Sequence, residues 1–395
     1  MNDLLIKGGT VIDGTGAAGR TADVVVNGGR ITSIGRSTEA ARQVVDADGL
    51  VVSPGFVDIH THYDAQVFWD TTLSPSPLHG VTTVISGNCG FTIAPLEPEH
   101  GEYLMKMLAR VEGMPLESLE HGVPWNWRSF GEYLDAIDGT LMPNAGFLVG
   151  HCPIRKIAMG DRAIGHEATL DELEHMKRLL RESIAAGGLG FSSTWAKSHN
   201  DANGDPVPSR HASTEELIAL CSVVGEFPGT AGIEFIPTVG KFDDSIDKLM
   251  SDMSVAANRP VNWNVVFPTG RQRPAIDRKL AASDYAARHG GKVIALTGPA
   301  PVETRLNFES GFVLDILDGW AGPMTLPNDE KKALLSDPVQ RAALNEKAQN
   351  SSTFRGLARW ERIRVGEVWL DKHRHLEGRT IGEIAAEKGQ EPFDA

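Results

Sequence analysis

The sequence predicts a parallel α/β barrel preceded by a small all-β unit. Three observations carry this reading. From Pro54 onward, short apolar strand segments alternate with amphipathic helical stretches as far as Pro299, the rhythm of βαβ units. Before Pro54 there are only β-type segments, with no helical pattern between them. The chain is 395 residues long, which leaves room for a barrel of about 250 residues and a second, smaller unit.

The elements follow in order. Residues 4–12 form a first strand. Residues 23–35 form a hairpin, because Asn27-Gly28 lies between β-branched runs and favours a tight primed turn. Residues 44–52 form another pair of strands. This gives an N-terminal β unit over 1–53 and a barrel domain over 54–395. Barrel strands are expected at 55–62, 82–90, 145–151, 188–194, 233–239, 260–266 and 292–299. The clearest helix runs over 170–180, and Ser213-Thr214-Glu215-Glu216 opens another with a capping pattern. The turn-rich run 198–206 should be an exposed loop after the fourth strand. These ranges make seven strands where a closed barrel has eight. Residues after Thr325 read as helical and polar, so the expectation is a chain that stops before its last strand.

Charge excludes some functions. The net charge is 38 − 52 = −14, which opposes nucleic acid or an anionic membrane as a main partner. No stretch approaches the ~20 apolar residues of a membrane span, and no leader pattern opens the chain. Cys89, Cys152 and Cys221 are too few for a disulfide framework. A reducing, cytoplasmic setting is expected.

Candidate site residues fall at strand ends. His60 and His62 are two apart, so on a strand both imidazoles face one side and can hold one divalent metal. They close the strand Gly55-Phe56-Val57-Asp58-Ile59, at the end where barrel enzymes keep their sites. Cys89, in Gly87-Asn88-Cys89-Gly90, ends the next strand. It is either a thiolate ligand or a small buried apolar side chain. His151 ends the third strand and contacts substrate, orients a ligand, or satisfies itself. Ser192, Ser193 and Thr194 end the fourth and can donate hydrogen bonds to a substrate. Ser193 is the one assigned there, without the tight glycine flank of a nucleophile elbow. Asp64 and Asp70 are expected to be supporting or solvated, and His373 and His375 to be solvated.

These residues carry a resemblance. Ile6-Lys7-Gly8-Gly9-Thr10-Val11-Ile12-Asp13-Gly14 resembles the opening strand of the amidohydrolase superfamily. Val52-Ser53-Pro54-Gly55-Phe56-Val57-Asp58-Ile59-His60-Thr61-His62 is similar to its first barrel strand. Gly80-Val81-Thr82-Thr83-Val84-Ile85-Ser86-Gly87-Asn88-Cys89-Gly90 resembles its N-acyl-D-amino-acid deacylase (D-aminoacylase) branch. The likeness is good over about residues 1–230 and looser beyond. It implies a TIM-like (β/α)8 barrel with part of a β-sandwich before it. It implies His60, His62 and Cys89 as ligands of zinc or another divalent metal. It also implies hydrolysis of a non-peptide amide, such as an N-acyl amino acid, by metal-activated water.

The sequence departs from that pattern. The resemblance implies a metal-binding histidine on each of the fifth and sixth strands. The corresponding segments carry Glu234, Asn262 and Asn264 instead, able to give oxygen ligands or substrate contacts, with Asn264 taken as the substrate contact. No strand end matching the family's catalytic aspartate is found after residue 299. Two alternatives therefore stand beside the deacylase. One is a diverged relative with a weakened, non-hydrolytic binding site. The other is a hydantoinase or dihydroorotase-type cyclic amidase, for which no suitably placed bridging lysine is seen.

Overall fold

The computed structural model describes residues 1–229, 232–267, 273–298, 304–309, 311, 313–351 and 355–395. Pro299, the expected end of the seventh barrel strand, lies outside them. The chain divides into two compact units, Met1–Asp58 with Ser74–Val84, and Ile59–Leu73 with Ile85–Ala395.

The first unit is built on a sheet of β1 (Asn2–Val11), β2 (Arg20–Asn27), β3 (Arg30–Gly35), β4 (Ala41–Asp46) and β5 (Val51–Val52). The order is β3-β2-β1-β4, with β5 also against β1. The predicted hairpin is β2–β3. Asn27 pairs with Arg30, and Gly28 and Gly29 take φ of 54° and 72°, the left-handed backbone a primed turn needs. The expected pair at 44–52 is corrected in its partners. β4 and β5 each run parallel to β1, Leu5 against Val44 and Thr10 against Val51. The turn between them offsets them along β1. Val11, Ala22 and Val24 form a small core with Ile6, Val26 and Val52 around it. Strands β6 (Phe56–Asp58) and β7 (Val81–Ser86) pair in parallel through Val57–Thr83 and Asp58–Val84.

The second unit holds helices α1 (Pro98–Val111), α2 (Leu116–Gly122) and α3 (Phe130–Ile137), then strand β8 (Asn144–Phe147). A parallel sheet follows, made of β9 (Val149–Gly150), β10 (Phe191–Thr194), β11 (Ile233–Ile236), β12 (Val261–Trp263) and β13 (Val293–Ala295), neighbours in sequence being neighbours in the sheet. The connections are helical. They carry α4 (His151–Met159) and α5 (Leu170–Ala185), then α6 (Thr214–Gly225), α7 (Asp244–Ala257) and α8 (Arg273–Arg288). This is the βαβ alternation the sequence predicts. Strands β10 and β11 are buried at every position, as parallel strands covered on both faces are. Thr169 and Glu172 close a capping box on α5, and the Ser213 hydroxyl caps α6.

The chain ends in α9 (Ala321–Thr325), α10 (Asn328–Ser336), α11 (Pro338–Gln349) and α12 (Ile381–Lys388), around a core of Leu314, Leu317, Trp320 and Trp360. His373 and His375 lie on a single 3-10 segment, Asp371–Leu376, with no buried residue. No described helix is long and apolar enough to cross a membrane.

Several strand ends differ from expectation. β6 stops at Asp58, not at residue 62, and His151 opens α4 instead of closing a strand. The loop at 198–206 is not simply exposed, because Asp201 is buried and accepts the N–H groups of Asn203 and Asp205.

Candidate metal centre

His60 and His62 lie just past β6. The Thr61 N–H donates to the Ile85 carbonyl at 3.0 Å, and the Thr61 and Ser86 hydroxyls bond at 2.8 Å. These bonds tie Thr61 to the end of β7, and its two histidine neighbours both face Cys89. Their rings meet edge to face, 5.2 Å between centroids.

Cys89 comes from the turn after β7, which several outside contacts hold. The Asn88 amide donates to the carbonyls of Thr61 and Ile85, and the Ser192 hydroxyl of β10 accepts from the Gly90 N–H. The Cys89 N–H donates to Oε2 of Glu234, on β11, at 2.6 Å. Cys89 has φ of 58°, a conformation disfavoured for a residue with a Cβ and frequent at functional sites. Gly87 precedes it with φ of 77°, and a Cβ there would sit 2.2 Å from the Leu148 carbonyl oxygen. Only glycine fits.

The result is a triangle of donors. Cys89 Sγ stands 3.5 Å from Nε2 of His60 and 3.5 Å from Nε2 of His62. Among the described residues, this trio is the group of ligating side chains whose atoms all lie within 4.8 Å of one another. A tetrahedral zinc, with Zn–N near 2.05 Å and Zn–S near 2.3 Å, sets its nitrogen and sulfur ligands about 3.6 Å apart. The donor set thus has the chemistry and the spacing for a zinc-like ion.

The surroundings agree. Burial pushes the His60 imidazole down to about 4. It pushes His62 well down too, reinforced by His60 and His199. Both are therefore neutral at pH 7, the form that ligates. Burial, with Glu234 and Glu112 next, pushes the Cys89 thiol well up. Burial raises Asp64 to about 7, Glu234 to about 8 and Glu112 well above the carboxylate range. A thiolate buried among three carboxyl groups would be costly without a cation, and a divalent ion offsets that cost.

Glu112 is the residue that sequence reasoning missed. Its Oε1 stands 3.5 Å from the same His62 Nε2 that faces Cys89. It caps the C-terminus of α1, where an acidic residue carries no motif. Glu234, noted as a possible oxygen donor, accepts from Cys89 and from the Asn264 side-chain amide, with Oε1 also 4.0 Å from His60 Nδ1. Asp64 accepts from the Gly87 N–H, and Asp70 accepts from Gln66 and Thr72 in its own loop.

The residues expected at the substrate are placed differently from one another. His151 and Ser193 are fully buried and bond each other at 2.8 Å. The other His151 ring nitrogen faces Glu216 at 2.8 Å, so both nitrogens are taken up by protein groups. Ser192 binds the Cys89 turn, and Thr194 bonds His199. Asn264 stays beside the trio through Glu234, and its Oδ1 is buried without a partner among the described residues.

A model of the amidohydrolase family matches residues 43–308. The chain belongs to the amidohydrolase family. This amidohydrolase is 38% identical to the D-aminoacylase of Alcaligenes xylosoxydans xylosoxydans over 221 residues, 55% of this chain and 41% of that protein. It superposes along its whole length on a D-aminoacylase described for its binuclear metal centre, with TM-score 0.60, 28% identity and 69% of that chain covered. The zinc- and phosphonate-bound N-acyl-D-glutamate deacylase of Bordetella bronchiseptica gives TM-score 0.59 and 25% identity over 99% of this chain and 68% of that one. The chain thus spans about two fifths of the curated D-aminoacylase in its match. The α/β barrel class and the D-aminoacylase likeness expected from the sequence are both borne out.

Proposed function

We propose that this amidohydrolase holds a divalent metal, zinc or a close relative, on His60, His62 and Cys89, and that it hydrolyses a non-peptide carbon–nitrogen bond. The observation that carries this is the 3.5 Å spacing of the Cys89 sulfur from both histidine Nε2 atoms. The substrate class is an N-acyl amino acid, supported by the deacylases the chain is similar to. When bound, such an ion polarises a carbonyl and lowers the pKa of the water it holds from about 15.7 toward about 7. The chain's own part is to bind and to orient. The neutral histidines and the thiol supply three donors. The side chains of His60 and His62 keep 22% and 18% exposure, so the two histidines are not sealed from solvent. Asn264 Oδ1 is the acceptor we assign to a substrate N–H. We further assign the β unit to residues 1–53 and the hydrolase domain to 54–395.

Elemental analysis of the purified chain and of H60A, H62A and C89A tests the reading. About one equivalent of metal in the parent, and its loss in each variant that stays folded, is expected. Metal retained in all three variants, or none in the parent, would remove the site.

A second reading has one observation behind it. Where the resemblance implies histidines on the fifth and sixth strands, Glu234 and Asn264 bond each other. A centre with three protein ligands can bind without turning over. Assay of the metal-loaded chain on a panel of N-acyl-D-amino acids separates the two, since no release of free amino acid favours the binding role.

A further inference from the structure

Glu234 occupies a singular place beside the trio. Its carboxylate reaches two elements at once from the middle of β11. Oε2 accepts the Cys89 N–H at 2.6 Å, a short bond to the one left-handed residue of the donor set. Oε1 accepts the Asn264 amide and faces His60 Nδ1 at 4.0 Å. That nitrogen is on the far side of the ring from Nε2, which points at the Cys89 sulfur. Glu234 therefore stands behind one ligand and beneath another. Both its oxygens are engaged by protein donors, and it is outside the trio whose atoms gather within 4.8 Å.

We propose that Glu234 is a positioning residue of the metal centre, holding the Cys89 backbone so that its sulfur meets the ion the two histidines face. The proposal rests on the metal reading given above. Two physical arguments support the role. A left-handed cysteine is disfavoured and persists only where its surroundings impose it. The Glu234 bond to its N–H is such an imposition. Groups that hold metal ligands by hydrogen bonds orient them, and their loss typically weakens metal binding about 10–100-fold.

The test uses the full chain stripped of metal by chelation and titrated with cobalt(II) chloride, in the parent, E234Q and N264A. Three readouts are followed. They are cobalt stoichiometry and affinity, the thiolate-to-cobalt absorption band, and hydrogen exchange of the Cys89 amide in the metal-free chain. The parent should bind one cobalt with a thiolate band. E234Q keeps the shape of Glu234 but replaces one of its two oxygens with an amide NH2. It should bind cobalt about 10–100-fold more weakly, with an altered band and faster Cys89 exchange. N264A, which removes one donor to Glu234, should move the same readouts by less. Unchanged exchange and affinity in both variants would overturn the positioning role. So would a second cobalt in the parent that E234Q loses, since Glu234 would then be a ligand. No thiolate band in the parent overturns the metal reading itself. The exchange rate, measured without metal, still reports separately whether Glu234 holds Cys89.

Discussion

At the scale of single residues, the most consequential group outside the metal centre is the buried carboxylate Glu216. Arg155 Nη1 donates to both of its oxygens at 2.9 and 3.0 Å, and His151 Nε2 faces Oε1 at 2.8 Å. Arg155 is wholly buried and spends its other donors on the carbonyls of Ala163, His166 and His211. Removing Glu216 leaves a guanidinium in the interior with no counter-charge. Breaking a buried pair on one side costs about 3–5 kcal/mol. E216A should therefore lose stability on that order in urea unfolding, and a loss below about 1 kcal/mol would mean that water or a neighbour compensates Arg155. His151 was legible as a polar residue at a strand end, and its surroundings were not. Its partner lies 65 residues away on another helix, a separation at which no local pattern pairs a histidine with a glutamate. The same limit hid Glu112, whose only sequence context is the end of α1.

At the scale of elements, the turn 87–90 shows how backbone conformation places the ligand proposed at Cys89. Three of its four residues, Gly87, Cys89 and Gly90, have positive φ. G87A meets both a forbidden φ and the Leu148 carbonyl. It should displace the turn and lower metal content in elemental analysis more than it lowers helix content in far-UV circular dichroism. Equal losses in both would point to global misfolding and away from a local effect. The glycines flanking Cys89 were readable in advance because close backbone approach needs them. Strand existence was readable for the same kind of reason, since the strand segments 191–194 and 233–236 are buried on both faces. Strand ends were not. Period-two patterning records which side a residue faces and not where ladder bonds stop. His60 and His62 are thus legible as a same-side pair although regular pairing ends at Asp58, because Thr61 stays tied to Ile85 and Ser86.

At the scale of the whole molecule, the metal centre couples stability to pH. In the metal-free chain, burial raises Asp64 to about 7 and Glu234 to about 8, whereas unfolded carboxyls titrate near 4. Between pH 7 and 8 the folded state still holds protons on these groups that the unfolded chain has released. Stability then falls as pH rises, since the folded state binds more protons. His60 acts with the opposite sign, because its folded value near 4 lies below the unfolded value near 6.5. Most of that effect is complete by pH 7. A bound divalent ion offsets the charge of the carboxylates and removes the reason for their retained protons. It also stabilises the folded state by mass action, about 4 kcal/mol at a thousandfold excess over Kd. Chelated protein should therefore show a thermal midpoint that drops from pH 7 to pH 8, while metal-loaded protein holds its midpoint or gains. E234Q, lacking one of the raised carboxyl groups, should flatten the chelated curve. Parallel curves with and without metal, read by scanning calorimetry at several pH values, would show that these buried carboxyl groups and the ion are not linked.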